Sequence, residues 1–249
     1  ITREDCRVAI QKVADRQEVL RLSFLPGKDR PLQMIRRTGE PVFTCHELSA
    51  AEAIPEAIEE RARQVFAVPF DMVQGPLYRV ELLHRGGDEH VLVFAIHHSI
   101  ADGWTLGVFV QDLCAAYIQV VKGISGPLPV VPLTHHAWGA AEREVWSVDL
   151  KKRVDFWRPR FAGHQRIWGA KPLAPGESYA PVRRASHVPL ELANATRELA
   201  RRTGTTLFST LLAVFQVALA RWTSVNDIVV GSPVANRNKP AVRETMGYF

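Results

Sequence analysis

The strongest constraint on this chain is a core-strand pattern that ends in titratable side chains. Residues 91–96 are six apolar residues in a row, rich in Val and Ile, which predicts a buried strand. His97 and His98 follow at once, and Asp102 and Gly103 come four and five residues after His98. Such strands normally end in polar turn residues that do not titrate. The chain must therefore fold so that a core strand holds two imidazoles at a fixed place.

Two interpretations of this histidine pair stay open from the spacing alone. Neighbouring residues of an extended chain point to opposite faces, so only one imidazole can face a given cleft. In the first interpretation both histidines are structural groups at a strand end. In the second, one of them is a general base, which needs a single imidazole that titrates near neutral pH and a group that holds it. A metal site is not expected, because strand ligands would alternate and no Cys or His cluster at ligand spacing completes the set.

Composition narrows the functional classes. The chain has 249 residues and a formal charge of +5, and its basic residues are scattered, which disfavours a nucleic-acid partner. Cys6, Cys45 and Cys114 form no close pair, so we expect free thiols in a reducing compartment. No apolar run approaches the roughly 20 residues that span a bilayer, and no signal peptide is evident. We therefore expect a cytoplasmic protein without a membrane partner.

Apolar periodicity predicts a mixed helix and strand protein of the α/β class. The helices are expected at residues 3–16, 51–67, 103–122, 137–161, 190–202 and 205–222. The strands are expected at residues 19–25, 32–36, 42–46, 77–84, 90–96, 183–188 and 227–230. Thr205 is the expected cap of the last helix, whose broad apolar stripe predicts that it is well buried. Repeated Gly and Pro make residues 163–181 the best domain boundary.

Four motifs, in order along the chain, resemble those of one enzyme family. The matching segments are residues 97–103 with HHxxxDG, 16–24 with RHExLRTxF, 231–237 with GxPxANR and 246–249 with IGxF. The Trp-Thr-Leu-Gly that follows HHxxxDG also resembles the family's DGWS-type continuation, whereas Gln17 and Leu22 depart from the early motif. The chain is therefore similar to the condensation domains of nonribosomal peptide synthetases.

This resemblance implies a two-lobed fold related to chloramphenicol acetyltransferase, in which each lobe is a sheet layered with helices. Residues 1–165 would form the N-terminal lobe, which carries the HHxxxDG motif. Residues 166–182 would be a linker, and residues 183–249 would be the first part of a C-terminal lobe. We therefore expect the domain to be incomplete at both ends, with the second lobe truncated.

The same resemblance implies a function and a set of partners. The domain would form an amide bond between a donor acyl or peptidyl thioester and an acceptor aminoacyl thioester. Upstream and downstream peptidyl carrier proteins would present both substrates on phosphopantetheine arms, next to an adenylation domain. No cofactor is expected to be bound in the domain itself.

Roles for the motif residues follow from the resemblance as well. His98, the second histidine, would be catalytic, either accepting the amine proton or orienting the amine, while His97 would pack and hold the turn. Asp102 would be structural, in an ion pair with an arginine of the early motif. Arg21 is preferred over Arg16 as that partner, because Arg21 lies inside a predicted strand.

Further residues have expected roles around this centre. Gly103 would let the substrate approach the backbone closely. Trp104, Ser232 and Asn236 are expected to line the substrate tunnel. The family's YxDFAxW motif has only a partial counterpart around the two histidines at 135–136, without a clear Asp. We expect those two histidines to be surface groups at a helix start and not a second site.

Three alternatives remain from the sequence. An epimerisation domain also carries HHxxxDG, but there a Trp usually comes a few residues after the Gly, whereas Trp104 follows Gly103 directly. A stand-alone acyltransferase of the same superfamily shares the fold, and the Ala-Asn-Arg at 235–237 argues against it. A non-catalytic domain that only recruits carrier proteins is disfavoured by the intact motif. Heterocyclising relatives have aspartates in place of the histidines.

Overall fold

The structure, a computed structural model, describes residues 1–164, 174 and 185–249. The helices are α1 (Arg3–Arg16), α2 (Pro55–Ala67), α3 (Gly103–Val121), α4 (His135–Phe161), α5 (Leu190–Arg202) and α6 (Leu207–Thr223). The strands are β1 (Leu22–Leu25), β2 (Leu32–Ile35), β3 (Phe43–Glu47), β4 (Tyr78–His84) and β5 (His90–Ile96). Two compact units result: Ile1–Asp149 together with Val234–Phe249, and Leu150–Pro233.

The first unit has helices on both faces of a three-stranded sheet with the order β3-β4-β5. β3 runs parallel to β4, and β4 runs antiparallel to β5. Successive side chains of a strand point to opposite faces. Tyr78, Val80 and Leu82 of β4 therefore pack into the core that α1 and α3 form. Leu83 points the other way and packs with Val65 of α2.

The hairpin of β4 and β5 confirms the prediction for residues 77–96 and sets the position of the two histidines. Its register runs from His84 opposite His90 to Tyr78 opposite Ile96. Gly86 and Gly87 at the turn have φ angles of 96° and 58°, a backbone region that L side chains rarely adopt. The turn thus requires glycines. At the opposite end of the hairpin β5 ends at Ile96, directly before the two histidines.

α1 shows how the sequence specifies a core helix. Thr2 caps it, since its Oγ1 accepts a hydrogen bond from Asp5 N at 3.1 Å. Its buried side chains recur every three or four residues and include Cys6, Ala9, Ile10 and Val13. This face packs against α3, and both helices contribute buried side chains to the main core.

α3 is long and apolar enough to cross a membrane by length and composition, and in the described ranges it is the single continuous helix of that kind. This differs from the expectation that no apolar run approaches the length that spans a bilayer. Val108, Phe109 and Ala116 of α3 are buried in the main core. The ring of Phe109 also stacks on Phe94 of β5, with centroids 3.7 Å apart. These contacts are those of a core helix in a globular unit.

Two element boundaries in the first unit differ from the prediction. The strand expected at 19–25 begins as a 3-10 helix, Glu18–Arg21, and only Leu22–Leu25 pair with β2. The helix expected from residue 51 begins at Pro55, because proline fits the first helical position, where its missing N–H is not needed.

In the second unit α5 and α6 pack together. Thr206, and not Thr205, caps α6, since its Oγ1 accepts a hydrogen bond from Ser209 N at 3.1 Å. The prediction that α6 is well buried is wrong, because Phe208 and Trp222 are 61% and 74% exposed. An apolar stripe shows which side of a helix favours burial, but not whether another element covers it.

Two predicted strands are not found as such. Residues 227–230 form no strand and pair with no strand of the described parts, so the apolar run alone does not make a strand. Residues 183–184 of the strand expected at 183–188 lie outside the described residues, and residues 185–188 have no strand structure. Except for residues 163, 164 and 174, the boundary expected at 163–181 also lies outside the described residues.

The predicted lobe limits, 1–165 and 183–249 with a linker at 166–182, stay a prediction. The contacts within the structure group Val234–Phe249 with the first 149 residues. The C-terminal segment therefore belongs to the same compact unit as the HHxxxDG motif.

Candidate active site

β5 delivers the two histidines to one end of the sheet, where the chain turns sharply. His97 keeps the sheet pairing, since its N–H donates to Leu77 O at 2.9 Å. A single 3-10 turn, His98–Ile100, follows, and Ile100 is buried beneath it. His97 is half-buried and His98 is exposed. The turn therefore packs one imidazole and presents the other to open space.

The imidazole of His98 is held in one tautomer. Its Nδ1 lies 2.6 Å from Ala101 O, and because a carbonyl oxygen only accepts, Nδ1 carries the proton. In the neutral ring Nε2 then has the free lone pair, and it makes no hydrogen bond to any described residue. The ring of Tyr248 packs edge-on against His98, with centroids 5.3 Å apart. A fixed ring with a free and accessible Nε2 is what a general base requires.

His97 has the opposite hydrogen-bond pattern. Its Nδ1 accepts a hydrogen bond from Ser99 N at 3.1 Å and lies 2.8 Å from Ser99 Oγ. Its ring meets the ring of Phe70 edge-on, with centroids 6.0 Å apart. These contacts brace the turn that presents His98, so the two adjacent histidines have different structural environments.

Asp102 combines two structural tasks. It caps α3, because its Oδ1 accepts a hydrogen bond from Thr105 N at 2.8 Å while Thr105 Oγ1 accepts one from Asp102 N. It is also ion-paired with Arg237, whose Nη2 lies 3.1 Å from both carboxylate oxygens. The Arg237 side chain is only 1% exposed. The pair therefore joins the start of α3 to the C-terminal segment.

The surroundings of Arg237 explain why it needs this carboxylate. Its guanidinium also donates to the carbonyl oxygens of Val242, Thr245 and Gly247. Burial lowers the pKa of Arg237, and the nearby Asp102 opposes that shift. Most of the guanidinium's hydrogen-bonding capacity is used, so the chain from 242 to 247 is wrapped around one buried cation.

The predicted partner of Asp102 is therefore wrong. Arg21 is the last residue of a 3-10 helix and not part of a strand, and it donates to backbone oxygens, among them Ala14 O at 3.0 Å and Arg37 O at 3.0 Å. Arg16 pairs with Asp112. Asp102 faces the segment after residue 236, which spacing along the chain does not reveal.

Arg16 and Gln17 form a second buried network that holds the same C-terminal segment. Arg16 bridges Asp112 of α3 and Glu244 Oε2, the latter at 2.7 Å. The amide nitrogen of Gln17 donates to Asp112 Oδ2 at 2.7 Å and to Glu244 O at 2.9 Å, and its oxygen accepts from Met246 N at 2.9 Å. Burial raises the pKa of Asp112, although Gln17 and Arg16 act in the opposite direction.

The departure of Gln17 from the early motif thus has a structural use. Its side chain is a neutral amide that supplies both a donor and an acceptor between α1, α3 and the C-terminal segment. Arg16 and Arg21 were expected to give structural support, and both bind partners other than Asp102. Arg16 also donates to Pro129 O, and Arg21 donates to Ala14 O near the end of α1.

Open space surrounds the first turn of α3. A cavity of about 360 Å³ is lined by Gly103, Trp104, Gly107, Val108, Gln111, Arg243 and Glu244. A Cβ added at Gly103 would meet no atom within 4 Å, so no neighbouring side chain requires glycine there. Trp104 Nε1 donates to Arg243 O at 2.9 Å. The prediction that Gly103 permits close approach of a substrate is compatible with this space and stays a prediction.

The other two tunnel residues stay predictions as well. Asn236 has a φ of 51°, in the left-handed region, and its Nδ2 lies 3.4 Å from Phe249 O, so it supports the C-terminal segment. Ser232 is exposed and belongs to the second unit.

Several residues of the site were missed by sequence reasoning. Arg237 lay in a recognised motif but was not connected with Asp102. Tyr248 lay in the last motif, and His135 was assigned to the surface, yet its Nε2 lies 2.9 Å from Tyr248 O. Arg237 and Tyr248 could have been found from their motifs, because the motifs of one enzyme family tend to lie close together in the folded chain. Within the described ranges no group of three or more His, Cys, Asp or Glu residues could hold a metal ion.

Comparison with known proteins identifies the family. The model of the condensation domain family matches residues 1–249. A linear gramicidin synthase of Brevibacillus parabrevis is 33% identical over 240 residues, a match that covers 94% of this chain and 5% of that protein. Phosphinothricin tripeptide synthetase PhsC of Streptomyces viridochromogenes is 32% identical over 260 residues, covering 100% of this chain and 24% of that protein.

Solved structures give the same result for the fold. The SgcC5 protein of Streptomyces globisporus has a TM-score of 0.79 and 28% identity, and the match covers 100% of this chain and 57% of that one. The first condensation domain of the calcium-dependent antibiotic synthetase has a TM-score of 0.78 and 21% identity, with 59% of its chain covered. These matches confirm the predicted two-lobed fold class, with the second lobe only partly represented.

The chain spans a small part of the synthetases that it matches, and somewhat more than half of the solved domains. The match over all 249 residues, together with the motif residues gathered around His98, means that this chain belongs to the condensation domain family of nonribosomal peptide synthetases.

Proposed function

We propose that this domain forms an amide bond between a donor acyl or peptidyl thioester and an acceptor aminoacyl thioester, and that His98 is its general base. The observation that carries the proposal is the tautomer of His98: Nδ1 is committed to Ala101 O, and Nε2 is free beside open space. The family membership supplies the reaction class.

The chemistry needs little from the protein beyond one base and good placement. The acceptor amine attacks the donor carbonyl carbon, and a C–N bond forms. His98 Nε2 takes the proton that the nitrogen loses, and the C–S bond then breaks. The departing thiolate takes up a proton, so the products are an amide and a free thiol. Placement of two reactants side by side lowers the barrier by removing much of the entropy cost of their encounter.

The partners follow from the substrates. Each thioester would be carried on the phosphopantetheine arm of a peptidyl carrier protein, one upstream and one downstream, and an adenylation domain would supply the aminoacyl group. We propose that this machinery works in the cytoplasm, with the arms entering as parts of the substrates and no cofactor held by the domain.

The test compares histidine variants in the protein supplied with carrier-bound donor and acceptor. His98→Ala should lower the rate of amide formation by about 10²–10⁴-fold, the range of a lost general base. His98→Gln retains hydrogen bonding but accepts no proton at neutral pH, so it should be almost as slow. His90→Ala removes a histidine at the other end of β5 and is the matched control, with an unchanged rate.

The product on the acceptor carrier is measured by mass spectrometry, and folding is checked by circular dichroism. A normal rate in His98→Ala would remove His98 from the chemistry. Recovery of the rate in His98→Gln alone would show that the residue orients the amine and does not take its proton.

A further inference from the structure

His135, for which the sequence predicted only a surface role, contacts all three of the residues 247–249. It is the first residue of α4, and its Nε2 lies 2.9 Å from Tyr248 O. Because that oxygen only accepts, His135 donates from Nε2. Its ring also meets the ring of Phe249 edge-on, with centroids 5.1 Å apart, and lies against Trp138 with centroids 5.9 Å apart.

The third contact is with Gly247, and it is unusually close. A Cβ added at Gly247 would lie 2.7 Å from Cγ of His135, and closer still to Cδ2. The φ of Gly247 is 149°, which L side chains rarely adopt. Glycine at 247 is therefore required both by the backbone and by the imidazole that lies over it.

The same tripeptide contacts His98 of the HHxxxDG motif directly and is connected with Asp102 through Arg237. The ring of Tyr248 packs on the ring of His98. The carbonyl oxygen of Gly247 accepts from Arg237 Nη2 at 3.2 Å, and the Arg237 guanidinium lies 4.0 Å from the centroid of Phe249. Since Arg237 is the partner of Asp102, residues 247–249 connect His135 with both His98 and Asp102.

We propose that His135 is a positioning residue for His98: it clamps residues 247–249, and the clamped segment holds the Tyr248 ring against the imidazole of the base. The inference deepens the proposed function and rests on it. Removal of the clamp leaves His98 chemically intact but less well placed. A displacement of about 1 Å at a reacting group can cost up to about 10²-fold in rate.

The test uses variants that separate the ring of His135 from its hydrogen bond. His135→Phe keeps a flat ring and loses the Nε2 donor, while His135→Gln keeps a donor without the ring. His136→Phe is the matched control, because His136 is exposed and adjacent, and its hydrogen bond to Glu18 comes from the backbone N–H, which the substitution keeps. Each variant is assayed for kcat and KM of amide formation, for thermal unfolding, and for hydrogen exchange of residues 244–249 by mass spectrometry.

We expect His135→Phe to lower kcat by about 10–10²-fold with little change in KM or melting temperature, and to speed exchange in residues 244–249. His135→Gln should restore part of kcat, and His136→Phe should match the unmodified protein. Equal kcat in His135→Phe and the unmodified protein would overturn the proposal, and so would a loss of kcat accompanied by an equal loss of melting temperature in both His135 variants.

The two proposals fail differently. If the unmodified protein forms no amide, the proposed function falls, and hydrogen exchange alone decides the clamp. Exchange in residues 244–249 that is as slow in His135→Phe as in the unmodified protein would show that His135 holds nothing. A double variant gives an independent check. Gly247→Ala should be strongly impaired in amide formation, because the new Cβ would meet His135 and the φ of Gly247 does not suit alanine. Adding His135→Ala should remove the steric contact but leave the strain at φ, so activity should recover only in part.

Discussion

A buried ion pair makes Asp102 and Arg237 interdependent. Arg237 is almost fully buried, and Asp102 is its carboxylate partner as well as the cap of α3. Removal of one member of such a pair leaves an uncompensated charge, which costs more than the pair itself contributes. Asp102 therefore connects the start of α3 with the C-terminal segment, and we expect its loss to act on stability before it acts on chemistry.

We expect Asp102→Ala to lower the free energy of unfolding by about 3–5 kcal/mol, since Arg237 stays buried without its partner. The double variant Asp102→Ala with Arg237→Leu should lose less than the sum of the two single variants, because no buried charge is left. Urea unfolding measures each value. Additive single losses would mean that the two side chains do not interact.

Exposed ion pairs supply the control. Glu4→Ala breaks the pair of Glu4 with Arg7 on the surface of α1, at side-chain exposures of 68% and 48%. Solvent screens such pairs, so the unfolding midpoint should not move measurably.

At the scale of elements, α1 and α3 decide which cysteines are accessible. Cys6 lies on the buried face of α1, and burial raises its pKa to about 11. Cys114 lies on the exposed side of α3. Only the thiolate attacks a disulfide reagent, so burial and a raised pKa disfavour Cys6, whereas exposure favours Cys114.

At pH 8 we therefore expect an aromatic disulfide reagent to label Cys114 quickly and Cys6 only in denaturant. As the pH rises from about 9 towards 11, the thiol of Cys6 ionises in the unfolded chain before it does so in the folded one. The folded state consequently loses stability in that range, and Cys6→Ala should remove this loss. Mass spectrometry of peptides after timed labelling measures how fast each cysteine reacts. The urea midpoint of unfolding, measured as a function of pH, tests the loss of stability. Rapid labelling of Cys6 in the native protein would contradict the packing of α1 on α3.

At the scale of the whole molecule, α6 presents an uncovered apolar face. Three of its large exposed side chains, Phe208, Leu211 and Phe215, recur at spacings of three and four, so they share one side. Contiguous apolar surface of this kind favours association.

We expect a protein of residues 1–249 to self-associate through this face at high concentration. Phe208→Glu with Phe215→Glu should reduce the mean mass in light scattering, because like charges would oppose contact. Val130→Glu is the control, as Val130 is 87% exposed but lies in a loop of the first unit, which does not contain α6. A monomer at every concentration without any substitution would show that the face does not drive association.

Much of the fold follows from short-range pattern. The six apolar residues of β5, the three- and four-residue repeat of α1 and the Gly-rich turn at 85–89 could be predicted because each depends on a few neighbouring residues. The prediction failed where burial depended on a distant element: α6 has the pattern of a buried helix but is largely exposed, and residues 227–230 have the pattern of a strand without a neighbour in the described parts of the chain.

Motifs and periodicities are local, so the sequence is enough to predict the family, the class of fold and His98 as the candidate base. The packing of the folded chain was needed to show that Asp102 pairs with Arg237, 135 residues away, and not with Arg21. It also decided which nitrogen of His98 is free, and that His135 lies over Gly247. Charge pairing, tautomer and close contact depend on which groups the packed core brings within about 3 Å of each other, and spacing along the chain does not contain that distance.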